Sequence, residues 1–271
     1  MYPTRAALRY PGGKWKLAPW IIEHFPPHEV YVEPFCGAAS VLMQKKRARQ
    51  GEVINDLDSD VVNLFRLLRE PEEAKRLIEQ IELTPFARAE FEESYAEAED
   101  PIEKARCYLV RAYMGQGSYL NYRNNGFRSR RNNDKFPARD WQLYPASLVS
   151  IIQRLQGVVI ENRPAVEVIE RYDSPRTLFY CDPPYVWESR SADCTRQYHY
   201  EMSDADHVEL AKLLHNIKGM AIISGYWSAL YDRLFGDWKC YSHRHNKDRG
   251  TSSEECLWIS PSCAAPQMKL F

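Results

Sequence analysis

The stretch VYVEPFCGAAS, residues 30–40, joins an apolar, β-branched run to a turn of small residues. Residues 30–34 have the pattern of a buried strand, and a helix is expected to begin after Gly37, Ala38 and Ala39. Small residues let the backbone approach a ligand, and the start of a helix offers free N–H groups to it. The stretch therefore predicts the cofactor crevice of an α/β sheet, although a purely structural turn has the same pattern.

The rest of the chain extends this pattern into a parallel sheet. Further β-branched or aromatic runs lie between turn residues at 53–55, 158–161, 178–181 and 220–224. Apolar residues recur at helical spacing after Asp58, and Ser203 with Asp206 forms a capping box before another amphipathic segment. Alternating strands and helices predict an α/β domain with a parallel sheet.

The alternation breaks between residues 70 and 150, where helical and then turn-rich sequence replaces the strands. We therefore expect a main domain formed by residues 1–69 and 151–271, and an inserted, mostly helical domain at 70–150. Residues 70–104 contain twelve acids and four bases, whereas residues 121–139 contain six bases and one acid. A polyanion is expected to meet only the basic part, because the acidic part is typical of a solvated helical surface.

The composition indicates a folded globular protein and excludes several other classes. Of the 271 residues, 44% are hydrophobic and 13% aromatic, which is enough to build a core. The net charge of −1 excludes a uniformly basic nucleic-acid coat, and no membrane span or secretory signal is expected. Seven cysteines without a C-x-x-C pair favour a reducing cytoplasm. Cys240, His243 and His245 are interpreted as ordinary hairpin residues, so no metal is expected.

Two acidic residues follow predicted strands and suggest chemistry. Asp56 follows the second strand, where an acid is suited to bind both hydroxyls of a ribose, although it could also cap a helix. Asp182 follows the fourth strand in the sequence CDPPY. Because Pro183 and Pro184 have no N–H, this loop presents hydrogen-bond acceptors beside the ring of Tyr185. Such a surface suits an exocyclic amine whose ring stacks on the tyrosine, and a proline-stiffened loop is the plainer interpretation.

Four short motifs occur along the chain in order: RYPGGK at 9–14, EPFCGAAS at 33–40, NDLD at 55–58 and CDPPY at 181–185. With them the chain resembles the Dam-type, or alpha-group, DNA N6-adenine methyltransferases over nearly its whole length. The resemblance implies a Rossmann-like S-adenosylmethionine-dependent methyltransferase sheet, with residues 70–150 as an inserted, mostly helical target-recognition domain that carries a β-hairpin. It also implies S-adenosylmethionine as cofactor, no metal, and double-stranded DNA as partner, bound by a monomer or by a dimer on the DNA.

The resemblance assigns roles to residues of these motifs. The catalytic residues would be Asp182, Pro183, Pro184 and Tyr185. The cofactor-binding residues would be Tyr10, Lys14, Pro34, Phe35, Cys36, Gly37, Ala38, Ser40, Asp56, Asn162 and Asp182. Two positions depart from the family pattern. Ala39 stands where a glycine is usual, and Pro164 stands where an acid is expected, so that Asn162 would hydrogen-bond the adenine ring of the cofactor.

The residue types of the pocket suggest how an adenine amine is activated. The lone pair of N6 is delocalised into the ring, which makes the amine a poor nucleophile. If Asp182 accepts one amine hydrogen and the Pro183 carbonyl accepts the other, the lone pair is directed toward the sulfonium methyl. Phe35 and Tyr10 would favour the cationic sulfonium by cation–π contact. A base flipped out of the duplex would stack on Tyr185.

Residues 117–136, GSYLNYRNNGFRSRRNNDKF, are expected to read DNA. Asn125-Gly126 is a strong signal for a tight hairpin turn, and the arginines around it suit base edges or phosphates. The predicted DNA-binding residues are Arg9, Asn121, Arg123, Asn124, Asn125, Arg128, Arg130, Arg131, Lys135 and Arg139. Arg128 or Arg130 is expected to read a base and Arg139 to contact phosphate, with the basic turn at 243–249 as the next candidate.

Three alternative functions remain open on the sequence. An N4-cytosine methyltransferase uses the same amine chemistry, although its pocket more often begins with serine than with aspartate. A methyltransferase acting on RNA or on protein glutamine is disfavoured by the basic part of the insertion. A DNA-binding module with a decayed cofactor turn would account for Ala39.

Overall fold

A seven-stranded mixed sheet organises the chain. The computed structural model describes residues 2–117, 126–129, 136–190, 198–246 and 252–264. Its strands are β1 Val30–Glu33, β2 Gly51–Asn55, β3 Val158–Glu161, β4 Thr177–Cys181, β5 Met220–Tyr226, β6 Lys239–Asn246 and β7 Ser252–Ile259. Their order across the sheet is β3-β2-β1-β4-β5-β7-β6. The first five strands are parallel, which confirms the predicted sheet.

Strand order reverses between β1 and β4. From β1 the chain moves outward through β2 to β3, and it then returns to β4 on the other side of β1. In the register of the sheet, Val32 of β1 lies opposite Val53 of β2 and Phe179 of β4. Ligands of open α/β sheets bind at the carboxyl ends of the strands where the order reverses. The two motifs at residues 33–40 and 181–185 both lie at that edge.

Eleven α-helices occur in the part of the chain that the structure describes. They are α1 Ala18–Glu23, α2 Ser40–Gln44, α3 Ser59–Leu67, α4 Pro71–Leu83, α5 Arg88–Glu93, α6 Pro101–Met114, α7 Pro137–Gln142, α8 Tyr144–Leu155, α9 Ala165–Tyr172, α10 Asp204–Asn216 and α11 Ala229–Phe235. The predicted capping box is confirmed: the Ser203 hydroxyl accepts from the Asp206 N–H, and the Asp206 carboxylate accepts from the Ser203 N–H. Asp58 caps α3 by accepting from the Asp60 N–H.

The helices between β2 and β3 pack into the same apolar core as the sheet. Leu77 of α4 and Tyr108 of α6 belong to one buried cluster with Ile54 of β2 and Leu178 of β4. The apolar side of α4 is buried while many of its acidic residues face solvent, as expected for a solvated helical surface. Separate domains at 70–150 and around it therefore stay a prediction.

Strands β6 and β7 form an antiparallel hairpin that extends the sheet beyond β5. Cys240 and His243 lie on β6, as the hairpin interpretation expects. Among the described residues, no group of three His, Cys, Asp or Glu side chains is arranged to hold a metal ion. Within those same ranges, no helix has the length and apolar character needed to cross a bilayer.

Candidate active site

A cavity opens at the carboxyl ends of β1, β2 and β4. It is open to solvent, and clefts at this place in an α/β sheet are typical sites for small molecules and cofactors. Its wall includes all of the predicted cofactor residues except Asn162: Tyr10, Lys14, Pro34, Phe35, Cys36, Gly37, Ala38, Ser40, Asp56 and Asp182. The glycine turn and two residues of the CDPPY loop, Asp182 and Pro184, thus line one cavity, whereas Tyr185 lies outside its wall.

The turn after β1 takes a left-handed backbone conformation at two positions. Gly37 has φ = 46° and Ala39 has φ = 49°. A Cβ at Gly37 would lie 2.7 Å from two ring carbons of Tyr10, so glycine is required there both for conformation and for space. Ala39 is fully buried at the start of α2, and its left-handed conformation costs about 1–2 kcal/mol relative to a right-handed one.

Glu33, at the end of β1, anchors the helix that follows the turn. Its Oε1 accepts from the Leu42 N–H of α2 at 2.6 Å and from the Tyr31 hydroxyl at 2.7 Å. Burial raises the pKa of Glu33 to about 7. This buried carboxyl group also lines the cavity and fixes the helix that follows the turn, and sequence reasoning did not assign it.

Asp56 lies at the carboxyl end of β2, across the cavity from the CDPPY loop. Its Oδ2 accepts from the Gly37 N–H and its Oδ1 from the Asp58 N–H, each at 2.9 Å. Burial raises the pKa of Asp56 to about 6. The two N–H groups fix the carboxylate against the glycine turn, and each oxygen retains capacity to accept one more hydrogen bond from a ligand.

Asn162 lies outside the cavity wall, on the exposed surface after β3. Its side-chain amide donates to the carbonyls of Asp56 and Leu57, at 2.8 and 3.3 Å. The residue therefore holds the Asp56 turn from outside, and its predicted hydrogen bond to a cofactor ring stays a prediction. Pro164 precedes α9, and Ala165 is the residue of this segment that lines the cavity.

Asp182 is held on both carboxylate oxygens. Lys14 Nζ lies 2.8 Å from Asp182 Oδ2, and the Ser224 hydroxyl donates to Oδ1 at 2.9 Å. Lys14 also donates to the Gly12 carbonyl at 2.8 Å. Burial alone would lower the pKa of Lys14, but the carboxylates of Asp182 and Glu255 raise it well above its ordinary value. A charged lysine and a buried serine therefore fix the acceptor that the CDPPY loop presents.

Tyr185 is buried beside this ion pair, with 8% of its surface exposed. Its hydroxyl donates to Glu255, the Lys14 ammonium lies 4.9 Å from its ring centre, and the Tyr226 ring packs edge-on at 4.7 Å. Burial raises the pKa of Tyr185 well above its ordinary value, so its hydroxyl stays a donor. Asp182 and Pro184 line the cavity, whereas Pro183 is buried. Stacking of a base on Tyr185 stays a prediction.

Sequence reasoning missed several residues around the cavity. Residues 198–202 cover one side of it, and Tyr198 approaches Gly12 so closely that a Cβ there would lie 2.5 Å from its hydroxyl oxygen. Glu255 and Ser224 contact the CDPPY loop from neighbouring strands. Gly12 of RYPGGK is a sequence signal that another side chain approaches the backbone there. The missed residues themselves occur in ordinary strand or loop sequence and carry no such signal.

The predicted DNA-reading segment is described only in part. Asn121, Arg123, Asn124, Asn125, Arg130, Arg131 and Lys135 lie outside the described residues, as does part of the basic turn at 243–249. An antiparallel bridge joins Gly115 to Phe127, with the Gln116 N–H donating to the Gly126 carbonyl at 2.8 Å. The tight turn at Asn125-Gly126 stays a prediction.

Three predicted DNA contacts fall within the described residues. Arg9 and Arg128 are half-buried, and Arg9 directly precedes the cavity residue Tyr10. Arg139 is exposed on α7, where its guanidinium donates to Gln142 at 2.7 Å. Their predicted roles toward DNA stay predictions.

Comparison with known proteins identifies similar chains. A family model described as D12 class N6 adenine-specific DNA methyltransferase matches residues 10–247. A DNA adenine methylase of Salmonella typhi is 26% identical over 223 residues, covering 80% of this chain and 78% of that protein. The DNA adenine methylase of Escherichia coli strain K12 is 25% identical over the same length and coverage. That of Serratia marcescens is 25% identical over 254 residues, covering 90% of this chain and 89% of the relative.

Proposed function

The chain belongs to the D12 class of N6 adenine-specific DNA methyltransferases, and we propose that its cavity binds S-adenosylmethionine while Asp182 acts on the adenine amine. One observation carries this proposal. The Asp182 carboxylate and the left-handed turn at Gly37 line the same cavity, at the edge where strand order reverses. The acceptor for an amine and a crevice for a nucleotide-type cofactor are thus adjacent.

The residues of the cavity fit this cofactor. Asp56 offers a carboxylate, fixed by two backbone N–H groups, to the ribose hydroxyls. Tyr10 and Phe35 bring aromatic rings to the wall, which favour a sulfonium cation by about 0.5–2 kcal/mol. When bound, S-adenosylmethionine supplies an electrophilic methyl group. Lys14, paired with Asp182, joins the RYPGGK segment to the CDPPY loop.

Asp182 and the Pro183 carbonyl would each accept one hydrogen of the N6 amine. Two acceptors in fixed directions favour a pyramidal nitrogen whose lone pair is free of the ring, and pre-organised acceptors of this kind act without reorganisation. Ser224 and Lys14 hold the carboxylate, so its orientation is set before the base arrives. Because N6 lies inside a duplex, the proposed substrate is an adenine flipped out of double-stranded DNA, with Tyr185 replacing the lost stack.

Product analysis tests the proposal. The purified protein is incubated with S-adenosylmethionine labelled in its methyl group and duplex DNA of random sequence, and the digested nucleosides are separated. We expect label in N6-methyladenine for the wild type and none for Asp182→Ala, with Asp232→Ala, exposed on α11 and outside the cavity wall, as the matched variant that keeps activity. Label in N4-methylcytosine, label on RNA in preference to DNA, or an active Asp182→Ala variant would contradict it.

A further inference from the structure

One buried carboxylate at the site has no part in the proposed mechanism. Glu255 lies on β7 and only 2% of its surface is exposed. β7 runs antiparallel to β5, and in that register Glu255 lies opposite Tyr226, whose ring packs against Tyr185. The antiparallel strand β7 thus brings an acidic side chain into contact with Tyr185 of the CDPPY loop.

The contacts of Glu255 connect three groups of the site. Its Oε1 accepts the hydrogen bond of the Tyr185 hydroxyl and lies 3.8 Å from Lys14 Nζ. Lys14 in turn pairs with Asp182 at 2.8 Å and lies over the Tyr185 ring. Tyr185 is tethered at its hydroxyl and Asp182 is held through the lysine. A shift of Glu255 would therefore reach both ends of the CDPPY loop.

On the basis of the proposed function, we propose that Glu255 is a positioning residue that fixes the ring of Tyr185 for the flipped adenine and keeps Lys14 against Asp182. A hydrogen bond at the hydroxyl fixes the far end of the Cβ–Cζ axis and so limits tilting of the ring, while the Tyr226 ring and the Lys14 ammonium pack against it and limit rotation about that axis. Charge-assisted hydrogen bonds in buried surroundings are the strong ones, so this tether is suited to the task. Fixing the geometry in advance raises the rate of the chemical step rather than the affinity for cofactor.

Glu52 serves as a comparison, because it is a buried carboxylate that compensates positive charge without contacting the site. Glu52, on β2, is 3% exposed and pairs with Lys45 at 2.8 Å and Arg154 at 2.6 Å, away from the cavity. If Glu255 only neutralised Lys14, Glu255→Gln would resemble Glu52→Gln. Both would lower the midpoint of urea unfolding and leave the turnover of the folded fraction unchanged.

The experiment is a double-mutant cycle on the full chain. Glu255→Gln keeps an acceptor of the same size without its charge, and Tyr185→Phe keeps the ring without its hydroxyl. We expect each to lower kcat about 10-fold with KM for S-adenosylmethionine within twofold, because Tyr185→Phe removes this hydrogen bond and Glu255→Gln removes the charge that strengthens it. The double variant should lose no more than Glu255→Gln alone, because both changes weaken the same hydrogen bond and only Glu255→Gln also affects Lys14. Glu52→Gln should keep the wild-type kcat.

The inference is overturned if the kcat losses of the two single variants multiply in the double variant. It is also overturned if the kcat of Glu255→Gln lies within twofold of wild type. Should Glu255→Gln fail to fold, Tyr185→Phe, which keeps both charged partners, decides alone: a kcat within twofold of wild type overturns the tether. The proposed function fails separately. The proposed function requires N6-methyladenine from the wild type and its loss in Asp182→Ala. These two results can be obtained even when the kcat losses of the double-mutant cycle multiply, so the two proposals can fail independently.

Discussion

Replacing Asp56 by asparagine should stabilise the free protein and weaken its cofactor binding. Burial raises the pKa of Asp56 to about 6, against an ordinary value of 3.8. Because the folded-state pKa lies above the unfolded one, the folded protein binds this proton below about pH 6, whereas the unfolded chain binds it only below about pH 4. The cost of the charged carboxylate to folding stability therefore grows from about pH 4 and is complete above about pH 6. The shift of about two pKa units corresponds to at most about 3 kcal/mol at pH 7.5.

Two backbone hydrogen bonds oppose this gain. The N–H groups of Gly37 and Asp58 both donate to the carboxylate, whereas an asparagine amide accepts only through its oxygen, which costs about 1–2 kcal/mol. Asp56→Asn should therefore raise the free energy of unfolding by about 1–2 kcal/mol at pH 7.5. The gain should disappear as the pH falls through 6 toward 4, because the wild-type carboxyl group becomes neutral as well.

Urea unfolding at pH 7.5 and pH 4.5, with calorimetric titration of S-adenosylmethionine at pH 7.5, measures both effects. Loss of a charged acceptor for the ribose should weaken binding by about 1.5–3 kcal/mol, or about 10- to 150-fold. Asp173→Asn is the matched control, because Asp173 accepts from the N–H groups of Lys218 and Gly219 away from the cavity. It should lose stability and keep the cofactor affinity. An Asp56→Asn protein destabilised equally at both pH values, or binding the cofactor as tightly as the wild type, would refute the reasoning.

Three further predictions concern other parts of the site. Asp182→Asn should lower kcat about 10²–10³-fold while calorimetry shows cofactor affinity within a few-fold, and a parallel loss of both would mean that Asp182 acts mainly by holding Lys14. Ala39→Gly relieves a left-handed conformation that costs about 1–2 kcal/mol, but it also removes a buried methyl group worth about 0.8 kcal/mol. Urea unfolding should therefore show a free energy of unfolding that is higher by up to about 1 kcal/mol, and a lower value would contradict this reasoning. Arg128→Ala should change the methylated sequences recovered from a randomised DNA library, whereas Arg139→Ala should weaken binding to all DNA and flatten its salt dependence; identical behaviour of the two would contradict the assignment.

The sheet and the crevice were predictable because their signals are local. Strands β1, β4 and β5 are almost wholly buried and form nearly continuous apolar runs. The turn at Gly37 is marked by small residues, and two of its positions take a left-handed conformation. Asp56 and Asp182 are the first residues after strands β2 and β4, so predicting the strands also places these two carboxylates at the edge of the sheet. These features require only the order of elements along the chain.

The support of the site was not predictable, because it depends on which strands become neighbours. Glu255 meets Tyr185 only because β7 pairs with β5 in one register, and nothing in the sequence around it differs from any other hairpin strand. Asn162 lies near the expected place, but its amide is used on the backbone of Asp56 and Leu57. The sharing of one core by sheet and inserted helices likewise depends on packing that periodicity does not report.

The ion-paired cluster of Lys14, Asp182 and Glu255 also bears on when the protein becomes active during its synthesis. Lys14 precedes α1, Glu255 lies on β7, and the Lys14 ammonium lies 3.8 Å from the Glu255 carboxylate. Domains are translated at about 5–20 residues per second, so the lysine waits on the order of ten seconds or more for its distant partner. A nascent chain cannot assemble this cluster until β7 has left the ribosome. Until then the chain lacks the residue that we propose positions Tyr185 and Lys14.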